Sequence, residues 1–181
     1  GPSIFMSTSH VLTKTAADIV SEDLSDIAER LSGEFAKLAG KKLLIVGGGG
    51  FLGYYLVQSP LAWNRLGEGS PIDVTVYDSW IRGTPEWLSK LNGDPNLKLV
   101  THDITNPLPD DAPDFDYIIH AASIASPIYY RKHPIETMDA NIVGLRALLD
   151  RYAGPDGGGL HAEGFLFFSS SEIYGDPAPD C

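Results

Sequence analysis

The chain has 181 residues, 43% of them hydrophobic, enough for one sizeable core and a single domain rather than two. Its formal net charge of −11 argues against nucleic acid or an anionic membrane as partner, yet leaves room for an anionic ligand held locally by a helix end. Cys181 is the sole cysteine, so neither an internal disulfide nor a cysteine-based metal site can form; no metal is expected, and a reducing cytoplasm is the simplest setting.

Residues 1–40 read as an N-terminal helical extension, with Gly1-Pro2-Ser3 set aside as the remnant of a cleaved tag. The first ten residues lack the basic-then-apolar order of a signal peptide, and no apolar run approaches the ~20 residues that span a bilayer. Over residues 15–39, Leu24, Ile27, Leu31, Phe35 and Leu38 recur at helical spacing, with acids and bases on the other face. Ser21 is the expected N-cap and Gly40 the expected C-cap. Such a helix is either a dimer arm or lid, or an extra layer over the first strand's edge of the domain; we read it as the layer.

From Lys41 onward strands and helices alternate. Strands are predicted at 43–46, 72–77, 97–100, 117–120 and 164–169, a helix opens at 51–58, and a long helix spans 134–152. This alternation predicts an α/β fold, a Rossmann-type doubly wound parallel sheet with strand order 3-2-1-4-5. The second domain of the reading, 41–181, is that sheet and its helices, ending after strand five.

The decisive motif follows the first strand: Gly47-Gly48-Gly49-Gly50-Phe51-Leu52-Gly53. Gly47 permits the turn, Gly50 lets a pyrophosphate approach the backbone, and Gly53 lets the helix lie close to the strand. The amides at Phe51 and Leu52, in the first helical turn, then face phosphates. Both Gly48-x-Gly50-x-x-Gly53 and Gly47-x-x-Gly50-x-x-Gly53 fit, no Lys-Ser/Thr follows as in a P-loop, and a flexible linker is the competing reading. Asp78, at the end of the second strand, suits an acceptor for both ribose hydroxyls and selects NAD over NADP, although Arg82 nearby leaves a phosphate-binding alternative and a turn aspartate is the bland one. Asp103 would accept from the adenine amino group while Ile104 packs on the ring, or Asp103 merely forms a turn. Ala121, Ala122 and Ser123 are small enough to let a cofactor cross the end of the fourth strand, beside a structural, hydrogen-bonded His120.

In this order the motifs resemble the extended short-chain dehydrogenases/reductases of the NAD-dependent epimerase/dehydratase family, over residues 41 to 181. The resemblance implies bound NAD, a nucleotide-sugar substrate, a cofactor role for Asn141, a C-terminal sugar-binding part and a homodimer built from the long helices. Within the family the chain is most similar to UDP-glucuronate decarboxylases, through Ala125-Ser126-Pro127, Tyr130, Pro134, Thr137 and Asn141; there Ser126, Pro127 and Tyr130 would help hold the sugar acid. Ser170 falls on the family's catalytic serine/threonine position and Glu172 on an acid that orients the sugar or manages the C5 proton. Ser171 stands where sugar 4,6-dehydratases carry an acid to protonate the leaving 6-hydroxyl, and serine is a poor acid, so the motif favours decarboxylation. A 4-epimerase or 4,6-dehydratase, or a non-catalytic NAD-binding module, are the alternatives. The family's base, a tyrosine with a lysine four residues on, is matched by none of the eight tyrosines. The expectation is therefore an N-terminal portion of a larger enzyme, inactive alone.

Overall fold

A strand whose side chains are apolar on both faces needs a sheet covered on both sides, and β1 (Lys42–Val46) sits at the centre of one. The computed structural model describes residues 15–81, 83–122, 131–152 and 162–168, without the side chains of Phe51, Glu136, Thr137, Ala140 and Asn141. β2 (Asp73–Asp78), β3 (Leu97–Thr101), β4 (Tyr117–His120) and β5 (Gly164–Phe167) complete a five-stranded sheet in the order β3-β2-β1-β4-β5, as expected. All pairings are parallel, with Leu43 level with Val74 on one side and Tyr117 on the other. Alternate β1 side chains divide between two cores. Leu43 and Ile45 join Val57, Leu61, Trp63, Val74 and Val76; Leu44 and Val46 join Tyr77, Phe115, Ile118, Leu148 and Tyr152.

The N-terminal extension departs from its reading. It forms two helices, α1 (Ala16–Arg30) and α2 (Ser32–Ala36), broken at Leu31. Its N-cap is Thr15 rather than Ser21, because Thr15 and Asp18 close a capping box: Thr15 Oγ1 accepts from Asp18 N–H at 3.2 Å and Asp18 Oδ2 accepts from Thr15 N–H at 2.9 Å. The Thr15 hydroxyl also donates to Asp18 Oδ2 at 2.7 Å, and this bond, followed by that from the Thr15 N–H, holds the Asp18 carboxyl below its ordinary value. The C-cap of α2 is Lys37, and Gly40 instead makes the left-handed turn into β1, its N–H shared between the Ser70 and Pro71 carbonyls at 3.2 Å. The extension's described residues do not lie on a strand edge. They pack on α3 (Phe51–Leu66), where Leu24 and Ala28 are buried and Trp63 Nε1 donates to Ser32 Oγ at 3.1 Å.

α3 runs through Pro60 to a left-handed Gly67, and Asn64 clamps the entry to β2, exchanging two bonds of 2.8 and 2.9 Å with the Ile72 backbone. A short α4 (Glu86–Lys90) follows β2. The long helix is α5 (Pro134–Met138) and α6 (Gly144–Tyr152) joined by a π-helical segment, Asp139–Val143. Glycine is required at 144, where a β-carbon would stand 2.7 Å from the Ile104 carbonyl oxygen. Among the described residues no helix is long and apolar enough to cross a membrane.

Candidate functional site

Parallel strands place all their carboxyl ends on one edge of the sheet, and the chain leaves β1 toward β2 on one side while β4 pairs on the other. The crevice at that divergence is where open α/β sheets bind ligands. The glycine loop lies in it. Gly47, at φ 80°, donates its N–H to the Tyr77 carbonyl at 2.8 Å, and Ala121 N–H reaches back to the Val46 carbonyl at 2.8 Å. A β-carbon on Gly47 would stand 2.4 Å from Ala122 Cα, so the loop and the Ala121-Ala122 backbone are in direct contact. Gly53 is fixed as tightly, since a β-carbon there would meet the Gly48 carbonyl oxygen at 1.9 Å. Gly48 itself is pressed against Val76, 2.4 Å from its missing β-carbon.

Gly50 differs. It is the N-cap of α3, in extended backbone, and among the described residues a β-carbon would find only the Gly47 carbonyl at 3.6 Å. Nothing in the fold requires glycine there. Among the described residues no side chain caps α3, and its first turn carries no acid, so the helix's positive end is open to an anion at Phe51, Leu52 and Gly53. These features fit the pyrophosphate of a dinucleotide: a tight turn, an open cradle and uncapped amides.

Asp78 stands beside the loop, half-buried. Its Oδ2 accepts from Gly49 N–H at 3.0 Å and its Oδ1 from Trp80 N–H at 3.0 Å. The first of these bonds ties the β1–α3 loop to the end of β2, a role for Gly49 absent from the sequence reading because it belongs to a backbone amide. Each oxygen keeps lone-pair capacity for ribose hydroxyls. Asp103 is exposed and forms a turn, Oδ1 accepting from Thr105 N–H at 3.0 Å and from Thr105 Oγ1 at 2.8 Å. Ile104 is half-buried, its Cγ1 2.9 Å from where a Gly144 β-carbon would be. The backbone at Asn141 belongs to the π-helical segment, a geometry often found at functional sites. Ser123, Ser126, Pro127, Tyr130, Ser170 and Glu172 lie outside the described residues, as does Arg82.

The hydrogen bond read for His120 is not found among the described residues. His120 is 0% exposed, tilted against Phe167 with ring centroids 5.3 Å apart, and neither ring nitrogen has a hydrogen-bond partner among the described residues. Burial holds its pKa below the ordinary value. No group of three or more His, Cys, Asp or Glu among the described residues could hold a metal ion.

A family model for the NAD dependent epimerase/dehydratase family matches residues 43–180. The chain belongs to this family. As a family member it is similar to UDP-glucuronic acid decarboxylase 3 of Arabidopsis thaliana, 37% identical over 136 residues that cover 75% of this chain and 35% of that protein. It is also 35% identical to UDP-glucuronic acid decarboxylase 1 of Danio rerio over 137 residues, 76% of this chain and 29% of the other. Among solved structures it resembles the dTDP-glucose 4,6-dehydratase DesIV of Streptomyces venezuelae, solved with NAD bound, at a TM-score of 0.62 and 27% identity over 76% of this chain and 42% of that one. The chain thus spans about a third of the length of the curated relatives it matches. The match begins after α2, so both N-terminal helices lie outside the family domain.

Proposed function

We propose that this chain is the dinucleotide-binding portion of an NAD-dependent enzyme that decarboxylates UDP-glucuronate or a related nucleotide uronic acid. The observation that carries the cofactor half is the open N-terminus of α3 set beside Asp78, which is tied to the same loop at 3.0 Å. The 37% identity to a UDP-glucuronic acid decarboxylase supports the choice of chemistry, together with Ser171 in place of a dehydratase's acid. NAD⁺ held there would supply reversible two-electron oxidation at sugar C4. The resulting 4-ketone is β to the C5 carboxylate, so the C5–carboxylate bond can break with its electron pair delocalised onto the carbonyl. CO₂ leaves, a proton is taken up at C5, and reduction at C4 returns the cofactor unchanged. Ser170 would hydrogen-bond the reacting 4-oxygen, and Glu172 would orient the sugar or deliver the C5 proton. Ser126, Pro127 and Tyr130 would hold the sugar acid. The tyrosine–lysine base must then come from outside this chain, and residues 1–181 alone should turn over no nucleotide sugar at an enzyme's rate.

The full-length protein, incubated with UDP-glucuronate and separately with a nucleotide-linked glucose, tests this by mass spectrometry. Loss of CO₂ from the first without net NAD⁺ consumption is the expected result. Loss of water from the second, with the first untouched, would replace decarboxylation by 4,6-dehydration. A homodimer is part of the same proposal, supported by an exposed apolar stripe on α5 and the π-helical segment that follows it, at Ile135, Met138 and Ile142.

A further inference from the structure

Trp80 follows Asp78 by two residues and has a φ of 54°, left-handed backbone that no other non-glycine residue adopts among the described residues. An aromatic residue is strained in that backbone, a strain that glycine or asparagine would largely avoid. Local contacts hold the strained conformation. The Trp80 N–H donates to Asp78 Oδ1 at 3.0 Å, its carbonyl accepts from Gly83 N–H at 2.7 Å, and its indole packs on the core beneath α3. Indole Cζ3 lies 3.2 Å from the place a Gly49 β-carbon would take, and Asp78 Oδ2 lies 2.8 Å from the same place. The ring and the carboxylate together fill the gap between the glycine loop and the end of β2.

We propose that Trp80 is a specificity-determining residue of the dinucleotide site, occupying the space that a 2′-phosphate on the adenosine ribose would need. This rests on Asp78 as the ribose acceptor. With one backbone N–H on each oxygen, Asp78 keeps capacity to accept two ribose hydroxyls. A phosphate of roughly −2 charge in place of one hydroxyl would meet a carboxylate and an apolar ring, neither of which can replace its lost water. Charge repulsion alone is an incomplete filter, because a half-exposed carboxylate can swing away and salt screens it. The indole obstructs that route. Its Cζ3 and Asp78 Oδ2 crowd the same place beside Gly49, so the ring narrows the room left for the carboxylate to move or for a phosphate to enter. A strained aromatic residue is then explained by what its side chain excludes rather than by what its backbone favours.

Calorimetric titration of NAD⁺ and NADP⁺ into the full-length protein tests this, with Trp80→Gly, Trp80→Asn and Trp80→Phe compared with the unsubstituted protein and thermal melting recorded for each. Glycine and asparagine both tolerate left-handed backbone, so at least one small variant should keep the fold. The expected result is a fall of about tenfold or more in the NAD⁺/NADP⁺ affinity ratio for the small variants, through tighter NADP⁺ binding, with Trp80→Phe near the original ratio. A ratio within about twofold of the original in a folded small variant overturns the role of Trp80, as does an equal loss of both affinities. If the unsubstituted protein binds neither dinucleotide, the cofactor reading fails first and takes the inference with it. If it prefers NAD⁺ and the folded small variants keep its NAD⁺/NADP⁺ ratio, only the inference about Trp80 fails.

Discussion

The glycines of the β1–α3 loop separate those demanded by the fold from the one demanded by a ligand. Gly47, Gly48 and Gly53 each have a backbone or core atom within 2.5 Å of the missing β-carbon, whereas Gly50 has only ordinary contact at 3.6 Å. Gly53→Ala should therefore destabilise the protein by about 1–3 kcal/mol or more, because the Gly48 carbonyl cannot yield without moving the helix. Gly50→Ser should fold at least as well as the original, since serine is a favoured N-cap. The same serine would stand where a pyrophosphate must approach, so NAD affinity should drop by about tenfold or more in the full-length protein. Unchanged affinity by calorimetry in a stable Gly50→Ser variant would remove the loop from the cofactor site. His120 supports a second prediction at this scale. Unfolded, its ring protonates near its ordinary value of 6.5; folded, burial against Phe167 lowers that value. The unfolded chain therefore binds the extra proton first, so stability is full above about pH 6.5 and is lost as pH falls below it. Urea unfolding at pH 8 and pH 5.5 should show this loss, and His120→Leu should reduce it; identical pH dependence in the two proteins would mean that His120 carries no linked proton.

The helices added before the family domain are held mainly through α1 on α3, with Val20, Phe35 and Leu38 packed around two buried residues. Leu24 and Ala28 are the buried residues of α1, and both meet the α3 layer around Leu61 and Trp63. Leu24→Ala should cost about 2–3 kcal/mol at that contact. It should show as early hydrogen exchange or proteolysis in residues 16–36, with the sheet still protected; uniform loss of protection would mean that the extension and the sheet unfold as one. At this scale the sequence was most legible where side chains alternate or repeat on two buried faces. The span of β4 matched residue for residue, and β1, β2, β3 and β5 shifted by one or two at their ends. Misses came where polar or breaker residues offered two readings. Ser21 and Thr15 are both chemically fit to cap, and only the reciprocal bond to Asp18 decides for Thr15. The helix read as opening at 51–58 runs on through Pro60 to Leu66. The helix continues because the buried Leu61, Ala62 and Trp63 offset the lost hydrogen bond, about 3 kcal/mol against roughly 1.5–3 kcal/mol for each large side chain buried. In the site, glycine spacing and Asp78 could be read directly from the sequence. The Gly49 amide and the left-handed Trp80 could not, because backbone bonds and backbone angles leave no mark on side-chain order.

For the whole molecule, the long helix after β4 is two-faced in a way that a single chain does not use. Gly144, Leu148 and Tyr152 recur every four residues and are buried on the sheet. On other faces Ile135, Met138 and Ile142 are 66%, 51% and 58% exposed, spaced by three and four residues as a stripe along one side. Surface apolar residues scattered singly need no explanation, but a periodic stripe on a helix is the pattern of a helix-packing seam. A second copy presenting the same stripe is the simplest cover, since a two-fold interface pairs a surface with itself. Replacing Met138 with lysine and Ile142 with aspartate should leave the sheet intact, because neither side chain contributes to the buried core. Each substitution would, however, bury a charge at the seam of a dimer, at a cost of several kcal/mol per protomer unless it is paired. Light scattering on the full-length protein should then show a dimer for the original and a monomer for the double variant. A double variant that remains dimeric would move the interface off this helix, and an original protein that is monomeric at every concentration would leave the stripe to a different partner.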